Sequence, residues 1–202
     1  SDAIKFYVNL QNNDWCPTQE QFANTSATEQ FFSGQGAMFF AGSWDLANLC
    51  STYTDMNGKW DVAVLPKCPN PESGDGRAVI SNSVSYATAA EGKNKDIAMD
   101  FLKFLASEEG QKIQGESGVA IPAYNGLEDT WVNTFAENGY DIHPENIIPM
   151  FDYSVKYVNN PSRPSWEPKV EQAVLDIYAG NTSVDDGIQN MQDIVTEAIA
   201  EE

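Results

Sequence analysis

Residues 31–49, FFSGQGAMFFAGSWDLANL, contain an apolar run that ends abruptly in GSWD. The segment AMFFA, residues 37–41, is short, apolar and bounded by glycines, which predicts a buried strand. Ser43 is a residue type favoured at a helix N-cap, and Asp45 suits the positive end of a helix dipole. The stretch therefore predicts a strand that leads into a helix, with Trp44 at the junction.

The position of Trp44 has two interpretations from the sequence alone. In open α/β sheets, ligands bind in the crevice outside the carboxyl ends of the strands, where this helix is predicted to begin. A large aromatic side chain at the start of a helix is also a common core residue. Trp44 is thus either a platform for a ligand or part of the apolar layer under the helix.

Composition excludes several classes of protein. The 202 residues are 42% hydrophobic, enough to build a core for one large domain or two small ones. Eleven Lys and Arg against 30 Asp and Glu give a net charge of −19, which repels nucleic acids and anionic lipid surfaces. No apolar run is long enough to span a membrane, and the first ten residues, SDAIKFYVNL, do not resemble a signal peptide.

The residues available for catalysis or metal binding are few. His143 is the single histidine, and Cys16, Cys50 and Cys68 lack the spacing of a zinc site. No GxSxG elbow or phosphate loop is present, and the paired carboxylates lie on predicted helices with acidic neighbours, as is typical of solvated faces. The sequence predicts no catalytic residue, no metal and no cofactor, and it leaves the pairing of the cysteines open.

Aromatic residues indicate a different chemistry. The chain has five Trp and eight Tyr, and both Trp44 and Trp166 follow a serine at a predicted helix start. Arg163 lies three residues before Trp166. An aromatic face can stack on the C–H side of a sugar ring while Arg, Asp, Asn and Ser bind its hydroxyl groups. This mixture predicts a polyol ligand.

Periodicity and turn signals predict the other elements. Helices are predicted at 2–12, 95–113, 131–136, 146–158, 165–178 and 184–198, and further strands at 60–66 and 78–87. Ser165 and Ser183 are the predicted caps of the last two helices.

Six blocks in this order resemble the carbohydrate-specific extracellular solute-binding proteins of ABC transporters, family 1. They are FFSGQGAMFFAGSW, WDVAVLP, RAVISNSVSYATAA, DIAMDFLKFLASEEGQ, GVAIPAY and RPSWEPKVEQAVLDIYAGNTSVDDGIQNM. The resemblance extends over nearly all of the chain. It implies an α/β fold of the periplasmic-binding-protein-like type II, helix-rich and mostly from the second of two lobes.

The resemblance also implies a domain organisation. Residues 1–64 would belong to the second lobe, 65–76 to an interlobe connection, 77–117 to a strand-helix segment of the first lobe, and 118–202 to the second lobe again. The chain would be the truncated C-terminal half of such a protein, which would explain why it lacks a signal peptide and a lipid-anchor cysteine. We expect the apolar face of 77–117 to be covered, either by folding onto the second lobe or by dimerisation.

The same resemblance implies a ligand site. Trp44 would stack on the sugar, Trp166 would line the cleft, Arg163 would bind a hydroxyl, and the polar strand of the first lobe would form the other wall. The predicted ligand-binding residues are Trp44, Trp166, Arg163, Ser43, Asp45, Ser81 and Asn82. Such a protein binds a small carbohydrate and the permease subunits of an ABC transporter, and it is extracellular, either lipid-anchored at the cell surface or periplasmic.

Three alternatives stay open at this point. Related binding proteins take polyamines, peptides or metal ions, although a single histidine disfavours most metal sites. A carbohydrate-active enzyme would need two convergent carboxylates about 5–10 Å apart. An adhesive or structural domain would bind no small ligand and would bury Trp44.

Overall fold

The computed structural model describes residues 2–71, 74–157 and 160–200. The chain forms two compact units, Ser1–Phe39 with Val158–Glu202 and Phe40–Tyr157. The described helices are α1 Asp2–Asn12, α2 Gln19–Asn24, α3 Ala27–Phe32, α4 Leu46–Thr52, α5 Lys95–Leu105, α6 Glu108–Glu116, α7 Glu128–Glu137, α8 Arg163–Tyr178 and α9 Val184–Ala200. The described strands are β1 Val79–Ser81 and β2 Ser154–Lys156.

The first unit is helical in its described part and contains α1, α2, α3, α8 and α9. Two short helices begin with a capping box. In each box the N-cap side chain accepts the backbone N–H of the third helical residue, and the side chain of that residue accepts the backbone N–H of the N-cap residue. Thr18 and Gln21 form the box of α2, and Ser26 and Glu29 form that of α3. These caps stabilise helices that are too short to be stable by themselves.

Helix α9 packs against α8 through a close approach at Gly187. A Cβ atom at this position would overlap the side chain of Ile177, which is buried. The predicted cap of α9 is confirmed: the backbone N–H of Asp186 donates to the Ser183 hydroxyl at 3.2 Å, and that hydroxyl donates to the Asp186 carboxylate at 2.6 Å. The prediction of this helix is therefore confirmed together with its start signal.

The second unit has a core of five buried side chains, Leu46, Cys50, Trp131, Phe135 and Ile142. Leu46 and Cys50 come from α4 and lie one turn apart on one face of the helix. Trp131 and Phe135 come from α7, and their rings meet edge to face with centroids 5.1 Å apart. This core holds α4, and thus the Trp44 turn directly before it, against α7.

Helix α7 also holds the end of α6 through two side-chain hydrogen bonds, one buried and one partly buried. The indole N–H of Trp131 donates to the Gly118 carbonyl at 3.0 Å, and the Thr134 hydroxyl donates to the Glu116 carbonyl at 2.8 Å. Carbonyl groups at a helix end lack partners within the helix, and buried ones need another donor. Both side chains are nearly inaccessible to solvent.

The single helix predicted for 95–113 is wrong in one respect, because the structure has two helices there, α5 and α6. Ser107 begins the second helix by accepting the backbone N–H of Gly110 at 3.2 Å. Buried Gln111 donates to the Leu105 carbonyl at 2.8 Å, which satisfies the end of the first helix. A serine cap and an internal glutamine therefore divide a run whose hydrophobic period suggested one element.

The two strands pair in parallel, with Val79 opposite Ser154 and Ser81 opposite Lys156. The strand predicted at 78–87 is confirmed only for its first part. The helix predicted at 146–158 is wrong, because this stretch contains 3-10 turns and then β2. Pro149 removes one backbone donor in this segment, which disfavours a regular α-helix.

The strand predicted at 37–41 is not formed, and the segment is irregular between α3 and the turn before α4. Its side chains are not a buried layer, since Met38 is 89% exposed and Phe40 is exposed too. A strand needs a neighbour for its backbone hydrogen bonds. Among the residues that the structure describes, the one ladder joins β1 and β2 elsewhere in the second unit.

The strand predicted at 60–66 is also absent, and side chains hold this segment instead. One carboxylate oxygen of Asp61 accepts the backbone N–H groups of Val62 and His143, both at 2.8 Å, and the other lies 2.6 Å from the imidazole Nδ1 of His143. The amide of Asn146 donates to the Val62 carbonyl at 3.1 Å. Side-chain bonds to the 143–146 turn thus replace a β ladder.

This pairing changes the acidity of both groups. Partial burial alone would raise the pKa of Asp61, but the hydrogen bonds from His143 and Val62 hold that pKa below its usual value. The hydrogen bond to Asp61, and then its negative charge, raises the pKa of His143 above the ordinary value of 6.5. The pair is therefore strongest when the imidazole is protonated and the carboxyl is ionised.

Candidate functional site

Trp44 lies in a 3-10 turn, Ser43–Asp45, directly before α4. Gly42 is the N-cap of this turn, and its carbonyl accepts the Asp45 N–H at 3.0 Å. The prediction that Ser43 caps the helix is wrong, because Ser43 lies inside the turn and Asp45 stands at the N-cap position of α4 without a side-chain cap bond. Ser43 and Asp45 are both half-buried on either side of Trp44.

The indole of Trp44 lies against the backbone of Gly42 and remains 57% exposed. A Cβ atom at position 42 would overlap the six-membered ring, so only glycine allows this approach. The core below is filled by Leu46 and Cys50, the next inward-facing side chains of the helix. The exposure does not fit the interpretation of Trp44 as a core residue.

Arg163 begins α8 and forms a two-point ion pair with Glu167, one turn later. Its Nε donates to one carboxylate oxygen at 2.9 Å and its Nη2 to the other at 2.7 Å. The helix begins two residues before the predicted start, and the hydroxyl of Ser165 donates to the Ser162 carbonyl at 2.7 Å. The prediction of Ser165 as the cap is therefore wrong, since this residue lies within the first turn.

Trp166 is half-buried and lies in the same turn as Arg163. Its indole N–H donates to the side-chain oxygen of Asn160 at 3.1 Å. The backbone carbonyl of Asn160 also accepts the N–H of Arg163 at 3.1 Å. One asparagine before the helix therefore holds both the first residue of α8 and the ring of Trp166.

Ser81 and Asn82 are exposed, the first as the last residue of β1 and the second directly after it. The structure thus brings the predicted ligand-binding residues together in three groups, each on one element. The Trp44 turn and the end of β1 belong to the second compact unit, and the start of α8 belongs to the first.

Sequence reasoning singled out Gly42 as a turn residue, but it did not single out Asn160 or Glu167. Glu167 follows Arg163 by four residues, a spacing that predicts a helical ion pair and that could have identified it. No sequence signal relates Asn160 to Trp166, since that bond depends on the path of the chain into α8.

Among the residues described, no group of three or more His, Cys, Asp or Glu could hold a metal ion. The three cysteines are free thiols: Cys16 is half-buried, Cys50 is buried and Cys68 is exposed. Burial raises the pKa of the Cys50 thiol to about 11. None of the helices in the described ranges is both long and apolar enough to cross a membrane.

Comparison with known proteins identifies the class. Residues 1–112 match the family model of the bacterial extracellular solute-binding proteins, which is more than half of the chain. The chain therefore belongs to the bacterial extracellular solute-binding protein family. The family predicted from the sequence blocks is confirmed.

The fold is similar to that of a sugar transporter from Rhizobium etli, whose crystal structure has an open conformation. The match has a TM-score of 0.68 and 24% sequence identity, and it covers 96% of this chain and 50% of the other. The chain thus spans about half the length of that protein. The predicted helix-rich, periplasmic-binding-protein-like α/β fold is confirmed, and no curated protein matches the sequence.

Proposed function

We propose that this chain supplies one half of the solute-binding component of an ABC importer. The complete protein would capture a sugar or oligosaccharide in a cleft between two lobes and deliver it to the permease subunits. It would change no covalent bond of its ligand. Membership of the solute-binding family supports this proposal, as does the likeness in fold to a protein described as a sugar transporter.

The observation that carries the proposal is the exposed indole of Trp44 at the start of α4. A flat apolar ring that lies over a glycine, and that is flanked by half-buried Ser43 and Asp45, combines a stacking surface with hydroxyl and carboxylate groups. Sugars offer apolar C–H faces and hydroxyl groups to these partners. We also propose Arg163, Trp166, Ser81 and Asn82 as ligand-binding residues.

We assign residues 77–117 to the first lobe, residues 65–76 to the connection between the lobes, and residues 1–64 and 118–202 to the second lobe. Helix α5 in this segment exposes Ile97 and Phe101 to solvent. In the two-lobe protein the remaining part of the first lobe would cover this face. For the isolated chain, self-association through the same face stays a prediction, which light scattering tests.

The place of action would be outside the cytoplasmic membrane. A binding protein of an importer must meet its solute before the permease does, either free in a periplasm or attached to the cell surface by a lipid anchor. The net charge of −19 on this chain disfavours direct association with anionic lipids.

A thermal-shift screen of the full-length two-lobe protein tests the class of ligand. A ligand that binds only the native state raises the melting temperature with concentration, by an amount that depends on its concentration relative to Kd. We expect a shift with at least one mono- or oligosaccharide and none with polyamines, peptides or divalent metal ions. A response confined to one of those other solutes would contradict the sugar assignment and leave the binding function standing.

A further inference from the structure

The start of α8 and the loop directly before it contain a cluster of four side chains, Asn160, Arg163, Trp166 and Glu167, which we call the α8 cluster. Two of them, Arg163 and Trp166, are proposed ligand residues. Each is held by one of the other two, through the contacts between Arg163 and Glu167 and between Trp166 and Asn160. In the cluster, each proposed ligand residue is therefore paired with a side chain that fixes its position.

The contact between Arg163 and Glu167 is geometrically strong. Two parallel N–H···O bonds of 2.9 and 2.7 Å fix the plane of the guanidinium group as well as its position. The two side chains are only 31% and 24% exposed, so water screens them less than it screens a surface pair. By contrast, Lys112 and Glu116 have the same spacing on α6 but a single contact of 3.7 Å and mostly exposed side chains.

The pair also has a consequence for charge. An arginine without a carboxylate beside it is a preferred partner for carboxylate and phosphate groups. Glu167 cancels the charge of Arg163, and an anionic ligand that approached the guanidinium would meet the like charge of this carboxylate at short range. The net charge of −19 acts in the same direction. An uncharged hydroxyl group, in contrast, needs only an oriented N–H donor.

We propose that Glu167 is a specificity-determining residue: by pairing with Arg163 it makes the site select uncharged polyols over anionic sugars such as uronic acids. Asn160 is the corresponding positioning residue for Trp166. This inference rests on the proposed function, because it takes Arg163 as one of the residues that meet the ligand. It goes beyond that function by stating the charge of the ligand and the residue that sets it.

The ion pair itself can be tested without any sugar. The chain has two arginines, Arg77 and Arg163, so an R77K variant leaves a single arginine Nε–H signal in a ¹H–¹⁵N NMR spectrum of the 202-residue protein. We expect slow solvent exchange of this signal and fast exchange after the additional change Glu167→Gln. An unchanged exchange rate would contradict the ion pair and overturn the proposal at its first step.

Calorimetric titration of the full-length two-lobe protein tests the selectivity. Each titration compares a neutral sugar with the corresponding uronic acid: D-glucose with D-glucuronate, and D-galactose with D-galacturonate. We expect the wild type to favour the neutral member of the pair that it binds. Glu167→Gln should weaken binding of the neutral sugar by about tenfold and reduce the preference over the acid, because side chains in one hydrogen-bond network are energetically coupled. Glu116→Gln on α6 is the control and should change neither quantity.

A second variant separates charge from position. Glu167→Asp retains the negative charge on a shorter side chain, so it should weaken binding of the neutral sugar but keep the discrimination against the acid. If both variants retain the wild-type preference and affinity, the specificity role of Glu167 is wrong while the sugar-binding function stands. If the wild type binds neither member of any pair nor any other sugar, the proposed function fails and the specificity role fails with it.

Discussion

Replacing Trp131 by Phe tests whether the core of the second unit holds α4 and α6 as described. Trp131 is completely buried, and its indole N–H bonds the Gly118 carbonyl at 3.0 Å. Loss of this donor leaves a buried carbonyl without its bond, which costs about 1–3 kcal/mol. The smaller ring buries roughly 40 Å² less apolar surface, which adds about 1 kcal/mol before any cavity term.

The expected loss in the free energy of unfolding is therefore about 2–4 kcal/mol, a large part of the 5–15 kcal/mol that is typical of a whole domain. Urea unfolding followed by far-UV circular dichroism measures it, because the substitution itself changes the tryptophan fluorescence. The matched control is Trp15→Phe, since Trp15 is 75% exposed and should change the free energy by no more than about 0.5 kcal/mol. Equal effects of the two substitutions would refute the assignment of the core.

Three further predictions follow from individual contacts. The folded protein raises the pKa of His143, so the pairing of His143 with Asp61 contributes fully to stability below the ordinary pKa of 6.5. This contribution is lost as the pH rises through the pKa of His143 in the folded protein. The melting temperature should fall over this pH range, and Asp61→Asn should remove the fall. Gly187→Ala should lower the free energy of unfolding by about 1–3 kcal/mol, because the added methyl group would overlap the side chain of Ile177 on the facing helix. This loss is expected although alanine favours helices more than glycine does. An increase in urea resistance would contradict this packing. Ellman's reagent should modify the exposed thiol of Cys68 rapidly and the buried thiol of Cys50 only when the protein unfolds. Rapid reaction of both thiols would show that the core of the second unit is open.

The helices with local start signals could be predicted from the sequence. α9 begins after Ser183 and continues with apolar residues at steps of three and four, and the structure has it at Val184–Ala200. The predicted helix at 2–12 corresponds to α1, Asp2–Asn12. In both cases the information lies within about two turns of the chain. The division of the 95–113 run needed the contact between Gln111 and Leu105, which periodicity does not show.

The strands could not be predicted with the same success, because a strand depends on its neighbour. The segments 37–41 and 60–66 have apolar patterns suited to a sheet, yet neither is a strand in the structure. β2, in contrast, lies in a stretch whose residues suggested a helix, and it forms because β1 lies beside it. Pairing partners that are distant in sequence decide these elements, and a single sequence does not specify them.

The sequence indicated candidate residues for a ligand site, which stay a prediction, but it did not indicate the contacts that hold these residues in place. The helix start after Trp44 was predicted from Gly42, Ser43 and Asp45, although the strand predicted before it does not form and the predicted cap was wrong. The resemblance to a family supplied Arg163 and Trp166, and the structure added the contacts that hold them. Hydrogen bonds such as the one from Trp166 to Asn160 depend on how a loop enters a helix, which the sequence does not reveal.

The central claim is that Trp44 is the surface on which a sugar stacks. The most direct measurement is calorimetric titration of the full-length two-lobe protein with the sugar that gives the largest thermal shift. The titration compares the wild type with Trp44→Ala and with the control Trp15→Ala, because Trp15 is an exposed tryptophan outside the proposed site. Loss of a stacking ring should weaken binding by roughly tenfold or more for Trp44→Ala, with an unchanged affinity for Trp15→Ala. Wild-type affinity in Trp44→Ala, with the protein folded, would contradict the account.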